Sequence, residues 1–484
     1  MDRRQFMVTT ALGTLTLALP AAGAQAKQDA PPNFLILQPD QHRGTVMGCA
    51  GDTQIKTPNL DRLAAEGIRF SNCVSSSPVC SPFRGTLQTG LYPHIHGVDV
   101  NSESLFDRVN GGFASIFAKA GYATGYIGKW HIDGRKNKEK GAGGFIPRER
   151  RLGWQEWEGY EAGHQYFNVW RYNDKKEQVP VEGYDWEPTW HTDMALDFAK
   201  RKTAEGKPWV YYVSYGPPHN PKECPEKYLE MYPPESFVLP PDVKKIFSDD
   251  ETAVRRELQI YYAQVTAIDV EIGRLLEGLK KLGVDENTII LYVSDHGDRL
   301  GSHTDINAKT SKEHRPRGKG CPYANAFRIP LIIRWPRKIK PRQICDTLVN
   351  SVDLTPTILD LAGLGIPKTY QGESMAPWCF GDEGPRNEAV YLGIGGLEPR
   401  NVLGKKRRFW RAVWDGRYLL AVPTDPNNYR HLYDHKSDPY EMNNLIDSPD
   451  HVEQKERMKR LLVDLARKTK DPLIERVIGA CEKV

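Results

Sequence analysis

The sequence predicts an α/β fold: a large mixed, mostly parallel sheet sandwiched by helices, with a smaller C-terminal α+β unit packed on it. Two observations carry this. Short, near-continuous apolar runs recur as far as Trp335, and helical patterns lie between them. Strands of that kind are covered on both faces, and strands alternating with helices call for parallel pairing. From about Gly365 the alternation fades into short strands and one late helix.

In chain order, the first feature is Asp2-Arg3-Arg4-Gln5-Phe6-Met7 before an apolar stretch that ends near Ala24-Gln25-Ala26. The stretch is short for a membrane span and ends in small residues, as a cleaved signal does. The paired arginines resemble a twin-arginine export signal, with Asp2 and Val8 departing from the usual flanks; a general secretory signal is the other reading. Residues 1–26 are therefore set aside, and export to the periplasm or beyond is expected. No later segment is apolar enough to span a bilayer, so no stable membrane anchor is expected.

Residues 33–38 (NFLILQ), 209–214 (WVYYVS), 288–294 (TIILYVS) and 331–335 (LIIRW) read as buried strands. Thr57-Pro58, then Leu60, Leu63, Ala64 and Gly67, reads as cap, first turn, apolar face and stop. A longer helix is expected over 251–282, ending at Gly283. These belong to a larger unit, residues 27–380. The smaller unit, 381–484, has expected strands at 389–392, 409–414 and 418–422 and a helix at 450–468. Residues 134–190 form a long excursion rich in Gly, Trp, Tyr and charge, the kind of loop that often binds.

Composition narrows the function. With 39% hydrophobic and 26% charged residues over 484 positions, the chain is ordinary globular material. Its formal charge of +4, with no dense basic run, gives no case for a nucleic-acid partner. The 8 cysteines are scattered without a C-x-x-C pair, which disfavours zinc.

Two acidic pairs stand at expected strand ends: Asp40-Gln41 after the first strand and Asp295-His296 after a later one. In an open α/β sheet, ligands gather outside the carboxyl ends of strands. Two carboxylates, an amide oxygen and an imidazole could converge there on a hard cation such as Ca²⁺ or Mg²⁺. The alternative is that Asp40 and Asp295 only cap the following turns. Between them in sequence lies Cys80-Ser81-Pro82-Phe83-Arg84, continued by Leu87, Thr89 and Gly90. Pro82 suits a first helical turn, which would set Cys80 at a helix N-terminus, where an anion is favoured. Arg84, one turn on, could reach back with its fork of donors.

The Cys-x-Pro-x-Arg segment resembles the signature of the formylglycine-dependent (type I) sulfatases of the alkaline phosphatase superfamily. The resemblance continues in order through Gly128-Lys129-Trp130-His131, Pro217-Pro218-His219, Ser294-Asp295-His296-Gly297, Lys319-Gly320-Cys321-Pro322-Tyr323 and Asp438-Pro439-Tyr440-Glu441. It implies an alkaline-phosphatase-like fold and a maturation enzyme that oxidises Cys80 to formylglycine (3-oxoalanine). The implied metal set is Asp40, Gln41, residue 80, Asp295 and His296 around Ca²⁺, with Mg²⁺ as the other candidate. The hydrated aldehyde would attack the sulfur of a sulfate ester, with Arg84, Lys129 and Lys319 neutralising the sulfate oxygens. His219 would be the general acid and His131 the base that regenerates the aldehyde. A sulfated carbohydrate is the expected substrate, and Tyr160, Tyr166, Trp170 and Arg400 are candidate sugar contacts.

The sequence departs from the family pattern in four places. Ala324 stands where a Glu usually follows the tyrosine, Phe83 where a small residue is common, Gln41 for a frequent Asp and His296 for a frequent Asn. Two other functions compete: a phosphonate or phosphate ester hydrolase of the same superfamily, and a silent sulfated-glycan binder. The Gly-Lys-Trp-His segment argues against the first, and the full set of chemical residues against the second.

Overall fold

The apolar runs become strands of one eight-stranded sheet, ordered β10-β2-β9-β8-β1-β7-β3-β4. The computed structural model describes residues 30–484 apart from 102, 107–108, 110, 135–143, 164, 174, 247–249, 304–317, 397–408 and 425–429. The signal reading of residues 1–26, and Arg400, thus lie outside the described residues. The strands are β1 (Asn33–Asp40), β2 (Ile68–Val74), β3 (Ala123–Lys129), β4 (Glu156–Tyr160), β7 (Trp209–Pro218), β8 (Thr288–Val293), β9 (Leu331–Arg334) and β10 (Gln343–Asn350), with β5 (Trp170–Tyr172) and β6 (Gln178–Pro180) pairing separately. Pairing is parallel except where β9 runs against β2 and β8.

Side chains of a strand alternate between faces, and β1 shows that both faces are covered. Phe34 and Ile36 enter one core with Phe83, Leu87 and Phe117. Leu35 and Leu37 enter another with Leu60, Phe198 and Ile272. The helices responsible include Cys80–Thr89 on the first face, and Pro58–Ala65, Glu187–Ala204 and Thr252–Lys281 on the second. The expected helix at 251–282 forms within a residue of its expected ends.

The C-terminal sheet is antiparallel throughout, β11 (Val390–Ile394), β12 (Trp410–Trp414), β13 (Tyr418–Pro423) and β14 (His431–Asp434), backed by the helix Val452–Lys468. This sheet leans on the loop before Cys80. Gly393 N–H donates to Ser76 O at 2.9 Å, and Ile394 and Trp410 pack in one cluster with Val79.

The sheet order sets β8, β1, β7 and β3 side by side and parallel. Their carboxyl ends therefore deliver Asp295, Asp40, His219 and Lys129 to one edge.

Candidate active site

Chain reversal at the end of β1 is the first element of the site. Gln41 takes a left-handed backbone, φ 72°, a conformation uncommon outside glycine. Its N–H donates to Asp295 Oδ1 at 2.9 Å, and its carbonyl accepts from Tyr261 Oη at 2.7 Å. His42 N–H donates to Ser294 Oγ at 2.8 Å. The two acidic strand ends are thus stitched together, so Asp40 and Asp295 do more than cap their own turns.

Cys80 opens its helix after the extended Val79, as the Pro82 position predicts, and every residue of that helix is buried. The Cys80 side chain, 1% exposed, meets Lys319 Nζ at 2.9 Å, His296 Nε2 at 3.2 Å and Asp40 Oδ1 at 3.6 Å. Burial and Asp40 push its thiol up, but Lys129, Lys319 and His296 outweigh them and hold it down at about 5. An anion at position 80 is therefore favoured by its surroundings.

Lys129 Nζ lies 2.6 Å from Asp40 Oδ2. Arg84 is engaged by protein groups on both terminal nitrogens. One terminal nitrogen lies 3.3 Å from Asp40 Oδ2 and 3.4 Å from Asp295 Oδ2. The other donates to Lys129 O and Ser214 Oγ, both at 2.7 Å. Arg84 thus serves as counter-charge to the two carboxylates and as a brace for the Lys129 backbone. Ser214 Oγ at 2.9 Å and the Tyr126 hydroxyl donate to that same Lys129 carbonyl.

The two histidines sit around this nucleus. His131 has a left-handed backbone, φ 61°, and its Nδ1 is buried with no hydrogen-bond partner among the described residues. Burial, then Lys129 and Arg84, hold it well below the ordinary range, so its ring is neutral. His219 follows β7. Its Nδ1 lies 2.7 Å from Asn220 O, which can only accept, so Nδ1 carries a proton and Nε2 is the working nitrogen. His219, with Lys129, Lys319 and Arg84, counters the burial of Asp40 and keeps that carboxyl well below its usual range.

The residues present fit a divalent cation. Atoms of Asp40, Cys80, Asp295 and His296 all lie within 4.8 Å of one another. His296 Nδ1 faces Gly297 O at 2.9 Å, so that nitrogen holds the proton and Nε2 offers its lone pair to the cluster. Burial and the neighbouring Asp40 push Asp295 up, as expected of a carboxyl whose ionised form needs a further positive charge. The Gln41 amide decides the matter. Its Nε2 donates to Asp298 Oδ2 at 2.6 Å, a partner that can only accept, and this turns Oε1 the other way. That oxygen is buried and has no partner among the described residues. A buried carbonyl oxygen without a donor is costly, and a cation is what it is shaped to meet.

Asp298 was not anticipated, although it stands three positions after Asp295; its Oδ1 accepts from Leu300 and Gly318 N–H groups, both at 3.0 Å. Glu441 was not anticipated in its role either. Both of its carboxylate oxygens lie 3.2 Å from Ala324 N, and Oε1 lies 3.0 Å from His435 Nε2. The tie that Ala324 itself cannot supply thus comes from the C-terminal segment. Two of the candidate sugar contacts are corrected. Tyr160 is buried and donates to Glu187 Oε1 at 2.7 Å. Tyr166 is wholly buried and donates to His219 O at 2.7 Å. Their apolar rings fill the core, and their hydroxyls are already paired. Trp170 is half-buried on β5.

Comparison with known proteins agrees with this geometry. The sulfatase family model matches residues 32–364.

The chain belongs to the sulfatase family.

A second family model, the C-terminal part of N-sulphoglucosamine sulphohydrolase, matches residues 312–468. An ulvan-active sulfatase of Formosa agariphila is 34% identical over 434 residues, covering 88% of this chain and 79% of the relative. An endo-4-O-sulfatase of Bacteroides thetaiotaomicron is 30% identical over 476 residues, covering 87% and 89%. A solved structure from glycosaminoglycan metabolism in the same bacterium superposes with TM-score 0.79 at 28% identity, covering 93% of this chain and 99% of that one. The sulfatase fold predicted from the sequence, with its mostly parallel sheet and smaller C-terminal unit, is the one observed.

Proposed function

We propose that this sulfatase removes sulfate from a sulfated carbohydrate, using a formylglycine made from Cys80 and a bound divalent cation. One observation carries the reading: the Cys80 side chain lies in hydrogen-bond contact with Lys319 and His296 and beside Asp40, at the carboxyl edge of the sheet. In this structure Sγ stands where the oxygens of a hydrated formylglycine would lie.

Formylglycine supplies two hydroxyls on one carbon, so that after one has bonded to sulfur the other can expel sulfate; a thiol offers no second group. Asp40, Gln41, Asp295 and His296 would hold the cation, which supplies positive charge to the sulfate oxygens. Their oxygen-rich set suits Ca²⁺, with Mg²⁺ as the alternative. Lys129 and Lys319 orient the sulfate and offset its charge, while Arg84 offsets Asp40 and Asp295. His219 Nε2 protonates the leaving oxygen as the sulfur–oxygen bond breaks. His131, neutral in its pocket, accepts the proton of the remaining hydroxyl.

The carbohydrate reading rests on relatives named for ulvan and for endo-4-O-sulfate removal. We further assign residues 1–26 to an export signal, residues 27–380 to the catalytic unit and 381–484 to the C-terminal unit. A formylglycine-generating enzyme is the partner required before activity, and the periplasm or the exterior is the site of action.

The test combines mass analysis of the Cys80 peptide with sulfate release from defined sulfated oligosaccharides. The aldehyde mass should accompany activity, and Cys80→Ala should release no sulfate while keeping its fold. Full activity in Cys80→Ala, or faster turnover of an aryl phosphonate than of the matching aryl sulfate, would overturn the reading.

A further inference from the structure

The turn that carries His219 is held from beneath by two buried side chains that touch no reacting atom. Tyr166, 0% exposed, sends its hydroxyl between two carbonyls, 2.7 Å from His219 O and 3.4 Å from Asn220 O. Asn220 O is the same atom that accepts from His219 Nδ1 and so fixes the tautomer and direction of the ring. On the far arm of the turn, Gln264, also 0% exposed, donates from Nε2 to Pro221 O and Glu223 O, both at 2.9 Å. Gln264 projects from the long helix Thr252–Lys281, and Tyr166 is tied by its own carbonyl to Glu187 N–H at 2.8 Å. Both donors are therefore mounted on the rigid body of the protein. Gly216 lets the Tyr166 ring pass under the turn, since a methyl group there would overlap it.

We propose that Tyr166 and Gln264 are positioning residues for the general acid, holding the His219 ring so that Nε2 meets the leaving oxygen. This rests on the assignment of His219 as the acid. The proton moves from Nε2 to the ester oxygen, which keeps the bond pair released by sulfur. A misplacement of even 1 Å in such a group lowers the rate by up to about 100-fold.

The effect depends on the leaving group. A good leaving oxygen departs without a proton, whereas a poor one requires it. The experiment measures kcat/KM for a series of phenyl sulfates, from 4-nitrophenyl to unsubstituted phenyl, on protein normalised for aldehyde content. Tyr166→Phe keeps the ring and removes the hydroxyl; Gln264→Met keeps the volume and removes the amide. Each should lower turnover of phenyl sulfate roughly tenfold and change 4-nitrophenyl sulfate by less than about twofold. His219→Ala should show the same steepening in larger measure. A parallel loss on all members of the series, or no loss at all, overturns the positioning role. The two substitutions lie on separate elements, so if one variant fails to fold the other decides. A His219→Ala variant with unaltered slope overturns the acid assignment itself, separately from the positioning argument.

Discussion

Gln41 shows how much can hang on one amide. Its Nε2 is anchored on Asp298 and its Oε1 has no partner among the described residues, so the group is aimed rather than merely packed. Removing the anchor should leave the metal ligands present but misdirected. Asp298→Ala is expected to weaken Ca²⁺ binding about 10–100-fold, read by calorimetric titration of the metal-stripped protein. Unchanged affinity would mean that Gln41 is oriented by something other than Asp298. The residues of the proposed site were legible because they fall in short, ordered segments: two acidic pairs at strand ends and a cysteine with proline and arginine at fixed offsets. Their supports were not. Ser214, Asp298 and Gln264 act through hydrogen bonds to Lys129 O, Gln41 Nε2 and the Pro221 and Glu223 carbonyls, partners distant in sequence, and no local pattern distinguishes such a serine or glutamine from any other. Tyr166 was noticed for the wrong reason, since an aromatic residue in a long excursion reads equally as a platform or as core.

At the scale of elements, the segment from Lys319 to Tyr323 has little regular structure and is held by its neighbours. Gly320 N–H donates to Pro78 O at 3.0 Å, Trp410 Nε1 donates to Gly320 O at 3.3 Å, and Tyr323 stacks on His303 at 3.8 Å. Glu441 closes the arrangement through Ala324, and its burial is offset by His435, in hydrogen-bond contact at 3.0 Å, and by His303 at 3.6 Å, which together hold the carboxyl down at about 2. Breaking such a buried network is destabilising. Glu441→Ala should lower unfolding free energy by about 3 kcal/mol and reduce turnover as Lys319 loses its footing, measured by denaturant titration and by sulfate release. A variant as stable and active as the parent would remove Glu441 from this role. Most elements were legible, and the omissions have causes. β3 begins Ala-Thr-Gly because the Tyr211 ring of β7 fills the space over Gly125, so the strand lacks the apolar run that marks its neighbours. β10 lies at the sheet edge with half of its residues exposed or partly so. The helix Glu187–Ala204 buries His191 and Thr192 on its inner face, which blurs the apolar stripe that would have announced it.

For the whole molecule, one buried acid governs part of the stability. Glu187 is pushed up to about 8 from its ordinary 4.5 by burial, against the pull of the Tyr160 hydroxyl. His191, 3.7 Å away, is pushed down to about 3 by burial, so the two stand side by side as neutral groups. Because the folded value of Glu187 is raised, its contribution favours folding below about pH 4.5 and is lost as the pH climbs toward 8. Glu187→Gln keeps an acceptor for Tyr160 and cannot ionise. It should match the parent at pH 4 and exceed it at pH 8 by on the order of 3 kcal/mol, seen as a rising difference in unfolding free energy across that interval. A difference that stays flat with pH would show that Glu187 ionises normally in the folded protein.

The depth at which residue 80 lies has a consequence in time. Its helix is sealed on one side by the central sheet and at its head by Lys319 and His296, groups that leave the ribosome more than two hundred residues later. Once those latecomers arrive, that sulfur is buried. Under the formylglycine proposal, the oxidation of Cys80 has to be finished while the polypeptide is still open, which would make the speed of collapse a competitor of the proposed modifying enzyme and slow assembly an advantage.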